Sequence, residues 1–211
     1  MKRNIYALLV GIDEYLGGIK GLNGCENDVK AFKEFLELRL SKDFNKPEIK
    51  TLVNHEAKRE SVISEFRNHL GKAKSGDVAL FYFSGHGSQE AVPFELSHLE
   101  DGKIETLVCH DSRSTGDDVW DLADKEISKL ISEVAVNNPH ILVIIDSCHS
   151  GFSTRDAVQN ISVRMSPVNE QPRPLNKFLF TSEEIEFLKN SEKTKHKEWP
   201  GLPQGKHVLL A

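Results

Sequence analysis

A chain of 211 residues, 38% apolar and 28% charged, carries a formal net charge of −5. That length suits one domain with a substantial core. The acidic balance argues against a nucleic-acid partner and leaves a basic substrate open.

The first residues, Met1-Lys2-Arg3-Asn4, are basic, and the apolar run from Ile5 to Ile12 leads straight into Asp13-Glu14. The run is too short for a signal peptide core and no small-x-small cleavage site comes after it, so it reads as a first buried strand. A Gly-rich loop comes next, and then Val29, Phe32, Leu36 and Leu40 at helical spacing, with Asn27 or Asp28 as the expected cap. Ile49–Val53 reads as a strand, and Val62, Ile63, Phe66 and Leu70 as an amphipathic helix. Val78–Tyr82 is a third apolar strand, followed by an expected loop over 88–118. Ile127, Leu130, Ile131 and Val134 mark a helix stopped by Asn137-Asn138-Pro139, and Ile141–Ile145 is a fourth strand. Residues 153–205 read as a flexible loop, containing a short strand over 177–182 and a lysine-rich, solvated stretch over 189–197. His207–Ala211 resembles the opening of another core strand, which suggests a chain cut short at its C-terminus. No stretch approaches the ~20 apolar residues of a membrane span.

Strands alternating with helices imply an α/β fold, with a mostly parallel sheet covered on both faces. Ligands bind such sheets at the carboxyl ends of the strands. Two phrases lie there: Phe83-Ser84-Gly85-His86-Gly87 after the third strand and Asp146-Ser147-Cys148-His149-Ser150-Gly151 after the fourth. If these strands are neighbours, roughly 5 Å apart, His86 and Cys148 can face one substrate. A thiolate is a strong nucleophile and a nearby imidazole promotes it. Gly85 and Gly87 are expected to let the backbone turn and expose the imidazole. The backbone N–H groups of Gly87 and Cys148 are candidates for an oxyanion hole. His149 is a rival base, disfavoured because adjacent residues at a strand end point in opposite directions. Three cysteines, Cys25, Cys109 and Cys148, form neither a disulfide framework nor a CxxC metal site, so a reducing, cytoplasmic setting is expected.

In these residues the chain resembles the caspase-like cysteine peptidases (peptidase C14 type), most closely the metacaspase and orthocaspase branch. The resemblance also covers Val10-Gly11-Ile12, the stretch Leu22 to Asp28, and Asp101-Gly102 through Glu105–Val108 to Asp111. It implies a three-layer α/β/α sandwich, a single caspase-like catalytic domain over 1–211 that is large-subunit-like, and a C-terminal fragment or partner that completes the sheet. It implies a Cys148–His86 dyad in a cysteine endopeptidase that cleaves proteins or peptides after Arg or Lys. Asp28 and Asp146 match the acidic S1 pocket, with Cys25 beside it. Each has a plainer reading: a helix cap for Asp28, a turn-former for Asp146, a small buried residue for Cys25. Calcium activates many relatives, and Asp101 and Asp111 stand at matching places. Ser112 and Arg155 replace further expected acids, so solvated loop acids are the favoured reading. Arg155, Arg164, Arg173 and the lysines near 193–197 offer self-processing sites, or the segment is a plain surface loop. The competing functional reading is a catalytically silent scaffold or regulatory module.

Overall fold

The computed structural model describes residues 2–39, 44–99, 102–114, 119–147, 164–192, 199 and 205–211. Its elements are β1 (Ile5–Gly11), α1 (Cys25–Arg39), β2 (Glu48–Val53), α2 (Arg59–Asn68) and β3 (Val78–Ser84), followed by β4 (Gly87–Ala91), β5 (Lys103–Leu107) and β6 (Leu122–Ala123). Then come α3 (Asp124–Ala135), β7 (His140–Asp146), α4 (Ser182–Lys189) and β8 (His207–Leu210). The five strands β2-β1-β3-β7-β8 form one parallel sheet in that order.

The sheet is sandwiched because its central strands are apolar on both faces. Leu8, Val10, Phe81, Phe83, Ile141 and Val143 pack with α2 and α3 through Val62, Ile63, Phe66, Ile127, Leu130 and Ile131. The alternate residues Ala7, Leu9, Leu80 and Tyr82 pack with α1 through Val29 and Leu36, joined by Phe32. Burying each large apolar side chain contributes about 1.5–3 kcal/mol. The α/β architecture with a mostly parallel central sheet is therefore as expected.

Three local expectations are corrected. The stretch 88–118 is not a loop throughout, because β4, β5 and β6 pair antiparallel into a small second sheet. Residues 177–182 form no strand. A 3-10 turn spans Leu175–Lys177 and α4 begins at Ser182, where the Thr181 hydroxyl accepts the Glu184 N–H. Phe178, Phe180, Leu188 and Trp199 instead build a satellite core with Leu96, Leu99 and Ile104 of the β4–β5 unit. Finally, β8 is an edge strand, with Val208, Leu209 and Leu210 each more than half exposed. Within the lysine-rich stretch, residues 193–198 lie outside the described residues.

Asp28 is no helix cap, since it is the fourth residue of α1. The cap comes from Asp13 in the loop after β1, whose carboxylate accepts the N–H groups of Cys25 and Glu26 at 3.0 and 3.1 Å. Burial pushes the Asp13 carboxyl up, but these backbone donors outweigh it and hold it below its usual range. Gly11 lets α1 sit this close, because a β-carbon there would lie 2.6 Å from the Cys25 carbonyl. The effect is to aim the first turn of α1, and Asp28 with it, at the carboxyl edge of the sheet.

Candidate active site

The parallel register lines up the strand ends. Gly11 of β1 pairs with Ser84 of β3, and Ser84 pairs with Asp146 of β7. His86 lies two residues beyond Ser84, so the neighbouring strands bring the histidine motif and Asp146 to one edge. Cys148, His149 and Asp101 lie outside the described residues.

His86 is buried, not exposed as its glycine neighbours suggest. Its Nε2 lies 2.8 Å from the Lys20 carbonyl oxygen. A carbonyl only accepts, so Nε2 carries the proton of the neutral ring and Nδ1 keeps its lone pair. Among the described residues Nδ1 has no partner. The Tyr15 ring sits 5.0 Å from the imidazole, and its hydroxyl accepts the His86 N–H at 2.9 Å while donating to the Ile12 carbonyl at 3.0 Å. Gly85 is required by this close approach, since a β-carbon there would lie 2.9 Å from the Tyr15 hydroxyl.

At Ser84, two residues before His86, Asp28 and Asp146 converge on one cation, the guanidinium of Arg164. Its Nη2 donates to Asp28 Oδ2 at 2.7 Å, and its Nη1 donates to Asp146 Oδ2 and, at 2.8 Å, to the Ser84 hydroxyl. Ser84 in turn donates to Asp28 Oδ2 at 3.1 Å. Burial works against the Arg164 charge, and the hydrogen bond to Asp28 with the nearby negative charges more than restores it. The backbone of the same residue is held as well. The Gly87 N–H donates to the Arg164 carbonyl at 3.0 Å, and the Ser166 N–H donates to the Gly87 carbonyl at 2.9 Å.

A family model described as the metacaspase, peptidase C14 domain, matches residues 6–155. The chain belongs to the metacaspase family. It is 32% identical to Metacaspase-1 of Plasmodium falciparum over 70% of this chain and 24% of that protein. It is also 32% identical to Metacaspase-6 of Arabidopsis thaliana, over 74% of this chain and 40% of that one. Thus the chain spans between about a quarter and two-fifths of the length of these two curated relatives. A crystal structure of protein GSU0716 from Geobacter sulfurreducens is similar with a TM-score of 0.56 at 28% identity, over 77% of this chain and 57% of that one.

The other residues singled out from the metacaspase resemblance fall into place differently. Cys25, at the start of α1, is fully buried against the Ser84 hydroxyl, and burial pushes its thiol up to about 11. Burial of this kind disfavours the thiolate, the form that attacks. Asp111 spends one carboxylate oxygen on the Arg59 N–H at 2.8 Å, and the Ser112 hydroxyl accepts the Cys109 N–H at 2.9 Å. Among the described residues no three potential ligands gather for a metal. A hard cation takes six or more oxygens, and of the two acids singled out only Asp111 lies among the described residues. Peptidase activity is accordingly expected to be the same with and without EGTA, and a loss of activity restored by calcium would reverse this reading.

Sequence reasoning misses three parts of the site. Tyr15 and the Lys20 carbonyl sit in the Gly-rich loop after β1, where no periodicity marks them. Ser84 lies within the histidine motif, where nothing local separates it from a linker residue.

Proposed function

We propose that this chain is a cysteine endopeptidase that cleaves proteins after arginine or lysine, with Cys148 as nucleophile and His86 as proton carrier. The observation that supports the reading is the Asp28–Asp146 pair holding a guanidinium at Ser84, two residues before His86. Two carboxylates and a hydroxyl suit a planar, multidentate cation and would repel an acidic side chain. The His86 Nδ1 lone pair can take the Cys148 proton, and the Gly87 N–H, already on a carbonyl oxygen, can stabilise the oxyanion that forms there. No cofactor enters this chemistry. Buried, unpaired thiols at Cys25 and Cys109 suit a reducing compartment, and a cytoplasmic site of action is part of the proposal. Within the described residues no helix is long and apolar enough to cross a membrane.

The test is a panel of fluorogenic peptides ending in Arg, Lys or Asp, run on the wild-type chain and on Cys148→Ala. Arg and Lys peptides should be cleaved, and the Cys148→Ala chain should be inactive. Asp146→Asn should lower kcat/KM for the Arg peptide by about 10- to 100-fold, the worth of a charge-assisted hydrogen bond. Preferred cleavage after Asp would reject the basic specificity. The silent-scaffold reading has one observation in its favour, namely that Arg164 already fills the acidic pair. It predicts a wild-type chain as inert as Cys148→Ala on every peptide.

A further inference from the structure

His86 is gripped from a loop that forms neither helix nor strand. Residues 12–24 join β1 to α1, and Tyr15 meets the histidine from there. Its ring lies 5.0 Å from the imidazole at an interplanar angle of 44°. Its hydroxyl accepts the His86 N–H and donates to the Ile12 carbonyl. A phenol has one proton to give, and Ile12 takes it, so the oxygen meets His86 as an acceptor.

The loop is itself held on both sides of Tyr15. The Asn54 side chain accepts the N–H groups of Asp13 and Glu14 at 2.8 and 3.2 Å. His110 Nδ1 lies 2.7 Å from the Glu14 carbonyl oxygen, and the His110 carbonyl accepts the Leu16 N–H at 2.8 Å. Gly17, with φ of 66°, rests so closely on the Arg113 carbonyl that a β-carbon would lie 2.4 Å from it. Residues 13, 14, 16 and 17 are thus each fixed by a residue distant in sequence. Two of these grips come from strained backbone. Asn54 and Arg113 have φ of 47° and 60°, in the left-handed region that residues with a side chain rarely take. Arg113 is kept there by its guanidinium, which donates twice to the fully buried Asp121 and, at 2.8 Å, to the Ser88 hydroxyl. Strain of this kind persists where the surroundings over-determine it, and it gathers at functional sites. Here it lies at the two residues that clasp the Tyr15 loop.

We infer that Tyr15 is a positioning residue of the reaction: it seats the His86 backbone and ring so that Nε2 stays on the Lys20 carbonyl and Nδ1 keeps its lone pair for a proton. This role rests on the peptidase reading for its effect on turnover, and it falls on a residue outside both sequence motifs. The hydroxyl acts by holding and not by exchanging protons. Burial pushes its ionisation well above the usual tyrosine range, and the His86 N–H only partly pulls it back. An imidazole without this seat turns about its side-chain bonds. Once Nε2 leaves the Lys20 carbonyl, either ring nitrogen can carry the proton. With the proton on Nδ1, the nitrogen that has no partner among the described residues is no longer a base.

The experiment compares wild type with Tyr15→Phe, Tyr15→Leu and Leu188→Ala, the last a buried position of the satellite core. Each chain is assayed on a fluorogenic arginine peptide for kcat and KM. Histidine-selective nitrogen NMR follows the His86 Nε2 proton, assigned by its loss in His86→Gln. Tyr15→Phe keeps the ring and should lower kcat about 3- to 10-fold, the worth of one hydrogen bond. Tyr15→Leu removes ring and hydroxyl and should lower it about 10²-fold, as a misplacement of about 1 Å does. KM should stay near wild type in both, because Asp28, Asp146 and Ser84 build the guanidinium pocket without Tyr15. The Nε2 proton should exchange with water faster in the same order, with a population protonated on Nδ1 appearing beside it. Leu188→Ala should lower the melting temperature and leave kcat and the His86 signal as in wild type, which separates seating from plain loss of stability. The inference is overturned if the His86 signal is unmoved in both Tyr15 variants, if kcat is unmoved in both, or if the loss falls on KM alone. Should Tyr15→Leu not fold, Tyr15→Phe decides by the same readouts. A wild type inert on every peptide rejects the peptidase reading, and the His86 signal alone then upholds or overturns the seating.

Discussion

His86→Ala should lower kcat on an arginine-terminated peptide by about 10²- to 10⁴-fold, the usual worth of a positioned acid–base group, with KM little changed. The direction of the split comes from where the ring sits. The guanidinium pocket is built by Asp28, Asp146 and Ser84, none of which hydrogen-bonds the His86 ring, so ground-state binding of a basic side chain survives its removal. The transition state does not, because His86 is the described group whose ring nitrogen is left with a lone pair at this edge. That state of the ring is imposed by the Lys20 carbonyl, which accepts the Nε2 proton, while Tyr15 packs against the ring and holds the His86 backbone. Steady-state kinetics of both chains, with a thermal melt to verify folding, measure the effect. A kcat within about threefold of wild type would move the proton transfer to another group, with His149 first in line.

The largest expected loss of stability comes from Arg173→Ala. Arg173 is almost fully buried and touches Glu90 and Glu126, whose side chains have no solvent exposure, while its guanidinium lies 4.4 Å from the centroid of the Phe178 ring. It also donates to the Asp121 carbonyl at 2.5 Å. Removing one partner of a buried pair leaves charge without compensation and costs about 3–5 kcal/mol. Glu126 keeps Arg59, at 2.5 Å, whereas Glu90 loses its cation. Burial pushes the Glu90 carboxyl up, to about 7, with Arg173 pulling the other way. A carboxyl that holds its proton more tightly folded than unfolded favours the folded state at low pH and loses that contribution as pH rises through about 7. The penalty of Arg173→Ala should therefore be smaller at about pH 5 than at about pH 8. Urea melts at the two pH values test it, and an equal penalty at both would mean that Glu90 is not the group left stranded.

Much of the fold is legible in the sequence because its signals are local. Four apolar runs and three amphipathic periods each report burial of their own segment, and a parallel sheet with covered faces is the arrangement that satisfies all of them. The errors share a cause. The strands β4 and β5 are half polar, and they are strands only because each completes the other's backbone hydrogen bonds. Residues 177–182 look like a strand by composition, yet Phe178 and Phe180 are buried by Leu96, Leu99 and Trp199, partners distant in sequence. Asp28 reads as a cap by its position, but Asp13, in the preceding loop, takes that role.

The sequence by itself marked the candidates: a histidine and a cysteine just past the ends of two apolar runs, and a pair of acids expected to serve them. Those come from residue type and strand periodicity, which need no knowledge of partners. Only the tertiary structure decided how the acids are used. Asp28 comes from the first turn of α1 and Asp146 from the end of β7, and parallel register with a distant cap brings them to one cation. It also decided between Arg164 and Arg173, two arginines in one polar segment with the same sequence signature. One is buried in a closed ion-pair network and holds the fold together. The other reaches the acidic pair with its carbonyl on the Gly87 amide, a difference set by long-range contacts that no local pattern encodes.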